Sequence, residues 1–518
     1  MPPLRVALRA DASQASGTGH IVRCLALAAA LRDCGAQIRL VTRQLDLDTA
    51  SLARAAGVES VLLPASVPGL SVADDPVAHA GWAGARWSDD ARQTAEALAG
   101  WHCGWVVVDH YAFDARWQRQ VAQSLGVRMA AIDDLADRPH EVDCLIDHNL
   151  HADHRRKYGA LVGAATALLG GPRFALLGPA YAGLQPARID DAVASIGIFM
   201  GGVDSTDLAS LALRACREQA GFSGPIEIVA TGASAHLAGL QARAGRWADT
   251  RVSVDLPDLA AFFARHGLQI GAGGGATWER CCAGAPMLLL QAAANQQVVV
   301  RELAVIGAAA ALAEHEAASV TTVGRAVADL LADAPRRRAL AQRARALVDG
   351  LGARRVAVAL GADTLALRPA RAEDAECSFA WRNDESTRRH SCDTREIDPV
   401  DHRRWWSGAL ADPARRLFVA HIGGRNVGVL RLDIEGTQAE VSIYLDPALT
   451  GLGLGPRLLR AGQRWTRENT ALERLVATIL PANRASMRAF EGAGFVRGGP
   501  QWSWPVAPER SSLQGMHP

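Results

Sequence analysis

Apolar-rich runs of strand length alternate with amphipathic stretches through the first two-thirds of the chain. Ile38–Val41, Val106–Val108, Met129–Ile132 and Cys144–Ile146 read as buried strands, and residues 21–32 and 90–98 between them carry helical periodicity. That alternation predicts a doubly wound parallel sheet. A second set begins near Ala194, with strands over 195–200, 226–229, 268–271 and 287–291, and helices over 316–332 and 335–349 close it. Two sequential Rossmann-like domains, 1–185 and 186–350, are therefore expected, with a cleft between them.

The texture changes after a connector expected over 351–363. Leu417–Ile422, Val427–Leu432 and Glu440–Leu445 read as consecutive antiparallel strands, with Gly423-Gly424 as a hairpin turn. A glycine loop, an amphipathic helix over 457–467 and a strand over 474–479 follow. This predicts an α+β domain over 364–503 and a disordered tail over 504–518.

Composition narrows the function classes. The 518 residues carry 54 acidic and 55 basic side chains, a net charge of +1, which argues against a general nucleic-acid binder. A single lysine, Lys157, stands among the basic residues and no glycine loop precedes it. Schiff-base catalysis with pyridoxal phosphate and a Walker-A phosphate site both require a lysine, so both are excluded. Nine cysteines without a C-x-x-C pair predict reduced thiols in a cytoplasmic protein and give no zinc spacing. No apolar run reaches the length of a membrane span, and the start reads as a strand, not a signal peptide.

Three glycine loops in the first two-thirds carry candidate chemistry. Asp11-Ala12-Ser13 leads into Gly17-Thr18-Gly19-His20, placing His20 at a helix start where it can accept a proton. In the other half, Gly201-Gly202-Val203-Asp204 and Gly273-Gly274-Gly275-Ala276-Thr277-Trp278-Glu279 each follow a strand and open a helix. Backbone amides at such starts suit a diphosphate held without lysine or metal. Glu279 can accept from ribose hydroxyls, and Asn295 can contact base or phosphate. A polar run, Asp147-His148-Asn149 with His151, Asp153 and His154, reads as a solvated loop more readily than as a metal site.

These segments, together with Arg23-Cys24, Asp109-His110-Tyr111 and Asp133-Asp134, resemble over residues 4–350 the UDP-sugar hydrolase family of pseudaminic acid biosynthesis. The resemblance implies a GT-B-like fold, no metal, and metal-independent inverting hydrolysis of UDP-2,4-diacetamido-2,4,6-trideoxy-β-L-altrose. It assigns His20 as the catalytic histidine. Asp11 is expected to orient it or touch the sugar. Gly201, Gly202, Gly274, Gly275, Thr277, Glu279 and Asn295 are expected at UDP, and His110, Tyr111 and Asn149 at the sugar.

In the last third, Gly451-Leu452-Gly453-Leu454-Gly455 lies between a strand and a helix, and Asn483-x-x-Ser486-x-x-x-Phe490 follows the next strand. The pair resembles the GNAT acyl-CoA transferases over about 365–500. By that resemblance the loop binds the pyrophosphate of acetyl-CoA, the acyl donor, Asn483 contacts the same cofactor, and the strand edge at Ile443 and Leu445 pairs with its pantetheine arm. Glu440 is the candidate base. Thr450 stands where the loop usually opens with Arg or Gln, and Phe490 where a tyrosine often protonates the thiolate, which leaves Tyr444, another group or water for that task. Residues 381–384 resemble the acceptor-side segment of nucleotide-sugar N-acetyltransferases.

Joined, the two resemblances imply consecutive steps on one UDP-aminosugar, acetylation and then hydrolysis. A glycosyltransferase with a sugar acceptor, or a nucleotide-sugar-binding module without turnover, are the alternatives.

Overall fold

The computed structural model describes residues 3–66, 72, 74–391, 393–499 and 501–506. They form two compact units, one of Arg5–Arg32 with Ala36–Val356, the other chiefly residues 357–506.

The first unit holds two parallel sheets. The first contains β1 (Arg5–Ala10), β2 (Gln37–Arg43), β3 (Glu59–Leu63), β4 (Trp105–Asp109), β5 (Arg128–Ile132), β6 (Cys144–Asp147) and β7 (Ala167–Gly170), in the order β3-β2-β1-β4-β5-β6-β7. The second repeats this winding with β8 (Ile196–Phe199), β9 (Ile226–Ala230), β10 (Thr250–Val254), β11 (Leu268–Ala272), β12 (Met287–Leu290) and β13 (Ala310–Leu312), ordered β10-β9-β8-β11-β12-β13. Both halves are thus Rossmann-like. Each reverses direction once, between β1 and β4 and between β8 and β11, and such a reversal opens a crevice at the carboxyl ends of the strands. Side chains of β12 show why continuous apolar runs form these strands. Leu288 and Leu290 enter one core while Met287 and Leu289 enter the other, so both faces are covered.

β3, β7, β10 and β13 escaped the sequence reading. All four are the outermost strands of their sheets.

Polar residues also sit in the first half's interior. Arg9 of β1 is fully buried and bonds Asp11 (2.5 Å) and Asp90 (2.6 Å). Asp90 also accepts from Arg43 (2.7 Å) and from the Trp117 indole (3.0 Å). Two arginines and two aspartates in one dry cluster are tolerable only because every charge has partners.

The second unit carries a mixed sheet. β14 (Ala366–Pro369), β15 (Arg415–Ile422), β16 (Arg425–Glu435) and β17 (Gln438–Leu445) are antiparallel neighbours; β18 (Arg474–Thr478) joins parallel to β17, and β19 (Val496–Gly498) and β20 (Gln501–Pro505) complete it.

Two expectations are corrected. The segment expected as a connector contains a helix, Gly352–Leu360, with Val356, Ala357 and Leu360 buried. The tail expected from 504 begins instead inside β20, where Trp502 and Trp504 alternate inward opposite Ala477 and Leu475. Residues 507–518 and Cys392 lie outside the described residues. The described cysteines form no disulfide and all but Cys377 are buried. Among the described residues no helix is long and apolar enough to cross a membrane.

Asp90→Ala would remove the carboxylate that Arg43 binds and one of the two carboxylates that bind Arg9. Thermal and urea unfolding of the purified protein are expected to show a loss of about 3–5 kcal/mol for the first unit.

Candidate functional site

The crevice between β1 and β4 gathers the densest polar cluster. The chain leaves β1, turns through Gly17 (φ +72°), and enters the helix Gly19–Asp33 with His20 in its first turn. His20 is buried, and its Nδ1 lies 2.6 Å from Oδ1 of Asp109, the last residue of β4. Arg23, one turn along, grips the same carboxylate through Nε (2.5 Å) and Nη2 (2.6 Å). Burial alone would raise the Asp109 pKa, but Arg23 and His20 outweigh it and hold the group below the usual carboxylate range. An ionised Asp109 keeps the proton on His20 Nδ1, which leaves the Nε2 lone pair as the acceptor. Tyr111 packs edge-on against His20 (4.6 Å between centroids), and its hydroxyl donates to Asp134, which Arg23 also approaches at 3.4 Å.

Asp109, not Asp11, is therefore the residue that orients His20. Asp11 belongs to the buried cluster: it binds Arg9 and accepts from the Thr42 hydroxyl and the Arg43 amide. Its remaining contact is His110 Nε2 at 3.3 Å. His110 in turn accepts from the Ala112 amide at Nδ1 (3.0 Å), so both ring nitrogens are committed and neither is available to a sugar. Asn149 accepts from the Trp278 indole (3.3 Å) and so joins the two halves. Of the three residues expected at a sugar, Tyr111 packs on His20 with its hydroxyl already engaged, and His110 stacks at 6.3 Å between ring centroids.

In the polar run after β6, Asp147 accepts from Lys157 (2.7 Å), which also reaches the Asp134 carbonyl (2.8 Å). Asp153 caps the helix His154–Tyr158, and His154 donates to the Asn149 carbonyl (3.1 Å). The one lysine in the chain thus buttresses the His20 cluster.

Across the cleft, Gly201 has φ +101° and Gly202 faces Thr18, whose Oγ1 lies 2.7 Å from where a Cβ would stand. Any side chain at Gly202 would collide with the His20 loop. Asp204 caps the next helix through the Leu208 (2.9 Å) and Ala209 (3.0 Å) amides. In the loop after β11, Gln296 accepts from the Gly273 amide (3.1 Å), Gly274 is half-buried, and Gly275 faces open space. Glu279 is half-buried and accepts from Tyr181 (2.8 Å), and burial raises its pKa. Thr277 is buried with its hydroxyl toward the Ala272 carbonyl (3.4 Å), so it packs the helix start and offers no side-chain contact; Asn295 is exposed. Arg280 lies wholly beneath the loops and ties the Phe199 and Ala272 carbonyls, fixing β8 to β11.

The second unit has its own opening. β17 pairs with β18 only from Gln438↔Arg474 to Glu440↔Val476; beyond Glu440 the strands part, while β16 still pairs with β17 as far as Leu445. Val441–Leu445, including Ile443 and Leu445, therefore have one open backbone edge. Glu440 is exposed at the fork, beside a cavity of about 390 Å³ that Asp433, Val476 and Thr478 also line. Gly451 (φ +82°) and Gly453 (φ +69°) make the turn into the helix Leu454–Asn469. Gly455 is already in that helix, where the missing side chain admits Ala489 at 3.0 Å. Asn483 spends its side-chain oxygen on the Ser486 amide (3.0 Å), capping the helix Arg484–Gly492.

One feature went unread in the sequence. The Tyr444 hydroxyl meets Ser378 Oγ at 2.6 Å, and Ser378 lies 3.4 Å from His402 Nε2. Burial raises the Tyr444 pKa to about 12. Ser378 and His402 lie 24 residues apart in two helices, and no local pattern links them.

Comparison with known proteins fits this second unit. The Acetyltransferase (GNAT) domain family matches residues 364–496. The putative phosphinothricin acetyltransferase YwnH of Bacillus subtilis (strain 168) is 33% identical over 144 residues, which cover 26% of this chain and 86% of that protein. Through this domain the chain belongs to the GNAT acetyltransferase family. Among solved structures, an aminoglycoside acetyltransferase AAC(6')-Ib in complex with coenzyme A is similar at 18% identity and TM-score 0.26, covering 27% of this chain and 94% of that one. Acinetobacter baumannii MurG is similar at 16% identity and TM-score 0.48, covering 68% of this chain and 98% of that one.

Within the GNAT domain the strand fork and the glycine turn lie at the two ends of one stretch of chain, Val441–Gly453, a layout that accommodates an extended cofactor arm and its phosphates. Phe490 is buried against Phe495 (4.9 Å) and offers no proton, whereas Tyr444 stands on the open segment itself.

The depressed pKa of Asp109 has a measurable consequence. A carboxyl lowered in the folded state contributes stability that is present above its unfolded pKa, about 4, and is lost as pH falls toward the folded value. Asp11 and Asp133 are lowered likewise, burial being outweighed by Arg9 for Asp11 and by His140 and Arg138 for Asp133. Melting curves from pH 7 to pH 3 are expected to show the first unit losing stability below about pH 4, with a shallower loss in Asp109→Asn.

Proposed function

We propose that the chain is a bifunctional nucleotide-sugar enzyme: the GNAT domain acetylates the 4-amino group of a UDP-aminosugar, and the two Rossmann-like halves hydrolyse the resulting UDP-2,4-diacetamido-2,4,6-trideoxy-β-L-altrose to UDP and free sugar. The observation that carries the hydrolase reading is His20 held through Nδ1 by Asp109 at the crevice of the first half, opposite two glycine loops in the second.

In this reading His20 Nε2 takes a proton from water as the water oxygen bonds to the anomeric carbon. The bond from that carbon to the diphosphate oxygen breaks with inversion, through a transition state of oxocarbenium character. Asp109 stabilises the imidazolium that forms. Amides at Gly201, Gly202, Gly274 and Gly275 receive the charge that develops on the departing UDP, so neither lysine nor metal is needed. Arg23 keeps Asp109 ionised and aligned.

The acetylation half follows from the fork. Acetyl-CoA laid along Val441–Leu445 would bring its thioester near the strand divergence, where Glu440, directly or through water, removes a proton from the attacking amine. The amine nitrogen bonds to the acetyl carbon, the carbon–sulfur bond breaks, and the thiolate takes a proton from solvent or from the Tyr444 hydroxyl.

Incubation with acetyl-CoA and the UDP-aminosugar, with thiol and UDP release followed separately, tests both steps. His20→Ala is expected to abolish UDP release while thiol release continues, and Asp109→Asn to slow UDP release about 10²-fold or more. Thiol release without UDP in the unaltered protein would refute the hydrolase, and UDP release only on adding a sugar acceptor would make it a glycosyltransferase. Glu440→Gln is expected to slow thiol release by roughly 10²-fold with UDP release from the diacetamido sugar unchanged.

A further inference from the structure

His148 is the polar group of the first unit that the reading above leaves without work. It follows Asp147 at the end of β6, only 4% exposed, and its Nδ1 is buried with no hydrogen-bond partner. Its neighbours differ: Asp147 is bound by Lys157, and Asn149 by Trp278. The ring stands edge-on to Trp278, 6.4 Å between centroids, at the start of the helix that follows the Gly273–Gly275 loop. The charges of Arg23, Asp134, Asp109 and Lys157, the groups around His20, act on the ring electrostatically. Burial and Arg23 lower its pKa to about 4, so the ring is neutral at pH 7. A neutral imidazole has one donor and one acceptor nitrogen, and leaving Nδ1 unpaired inside the protein costs free energy. A group so placed, packed on Trp278 of the second half and within the field of the charges around His20, is positioned to meet a ligand that spans the two halves.

We infer that His148 is a specificity-determining residue of the cleft, hydrogen-bonding a polar substituent of the sugar in a bound nucleotide sugar and not the nucleotide itself. The inference rests on the nucleotide-sugar reading of the cleft. It separates His148 from a residue that serves the fold, because an unpaired buried ring weakens the empty protein and repays that cost only when a ligand pairs with it.

The test is calorimetric binding of UDP and of UDP-2,4-diacetamido-2,4,6-trideoxy-β-L-altrose to the full-length protein in a His20→Ala background, where turnover is blocked. Adding His148→Leu is expected to raise the melting temperature of the unliganded protein by roughly 2–4 °C, and to weaken UDP-sugar binding about tenfold with UDP binding unchanged. His148→Gln, which restores an amide donor and acceptor, should recover most of the lost affinity. Equal UDP-sugar affinity with and without the ring would overturn the inference alone, and would mean that the ring meets only water. A parallel loss for UDP would also overturn it, placing His148 at the nucleotide. Failure of the His148-containing protein to bind either ligand would overturn the nucleotide-sugar reading, and this inference with it.

Discussion

One carboxylate organises the first half. Asp109 ends β4 on the far side of the strand reversal from β1, and it binds two side chains, His20 and Arg23, from the helix that follows β1. The reversal opens the crevice, and the carboxylate ties the crevice's two walls together at their mouth. Its charge is sustained by Arg23, and its proton demand fixes the face that His20 turns outward. Asp134, Tyr111 and Lys157 then brace Arg23 and the His20 ring, so the whole wall is a chain of charge-balanced contacts with its anchor in β4.

The second half is built to a different specification with the same winding. Its crevice carries glycine turns, and the carboxylate beside them, Glu279, is held by Tyr181. Arg280 is spent beneath the surface, joining β8 to β11. The GNAT domain reaches an equivalent result by other means, since its open strand edge and its glycine turn offer backbone groups where many phosphate sites offer lysine. A chain with one lysine can still have three loops suited to anions, because each draws on main-chain amides that any sequence possesses.

Much of this was readable in the sequence. Central strands are buried on both faces and announce themselves as apolar runs, as Met287–Leu290 does, whereas the outermost strand β10 mixes Thr250, Arg251 and Ser253 with its two valines. That His20 opens a helix was readable because glycine loop, helix start and histidine are contiguous. Its true partner was not: Asp109 lies 89 residues away, while Asp11, nearer in sequence, is drawn into the Arg9 cluster by a stronger charge. Asn483 and Thr277 occupy motif positions yet spend their polar atoms on local capping and packing, a distinction only coordinates make. Ser378 and His402 carry no pattern at all, and the helix Gly352–Leu360 falls in the stretch expected as a connector.

The parting of β17 from β18 has a further consequence. An unpaired strand edge ordinarily invites another polypeptide strand, and exposed edges are a common route to aggregation. Here the edge is an internal one: it opens only past Glu440, and β18 closes the wedge at its narrow end. A folded sheet edge from a neighbouring molecule is too broad to enter, whereas a slender, flexible chain with amide groups of its own can lie along it. The same parting of strands thus suits the edge to a single extended chain and ill suits it to sheet-to-sheet pairing.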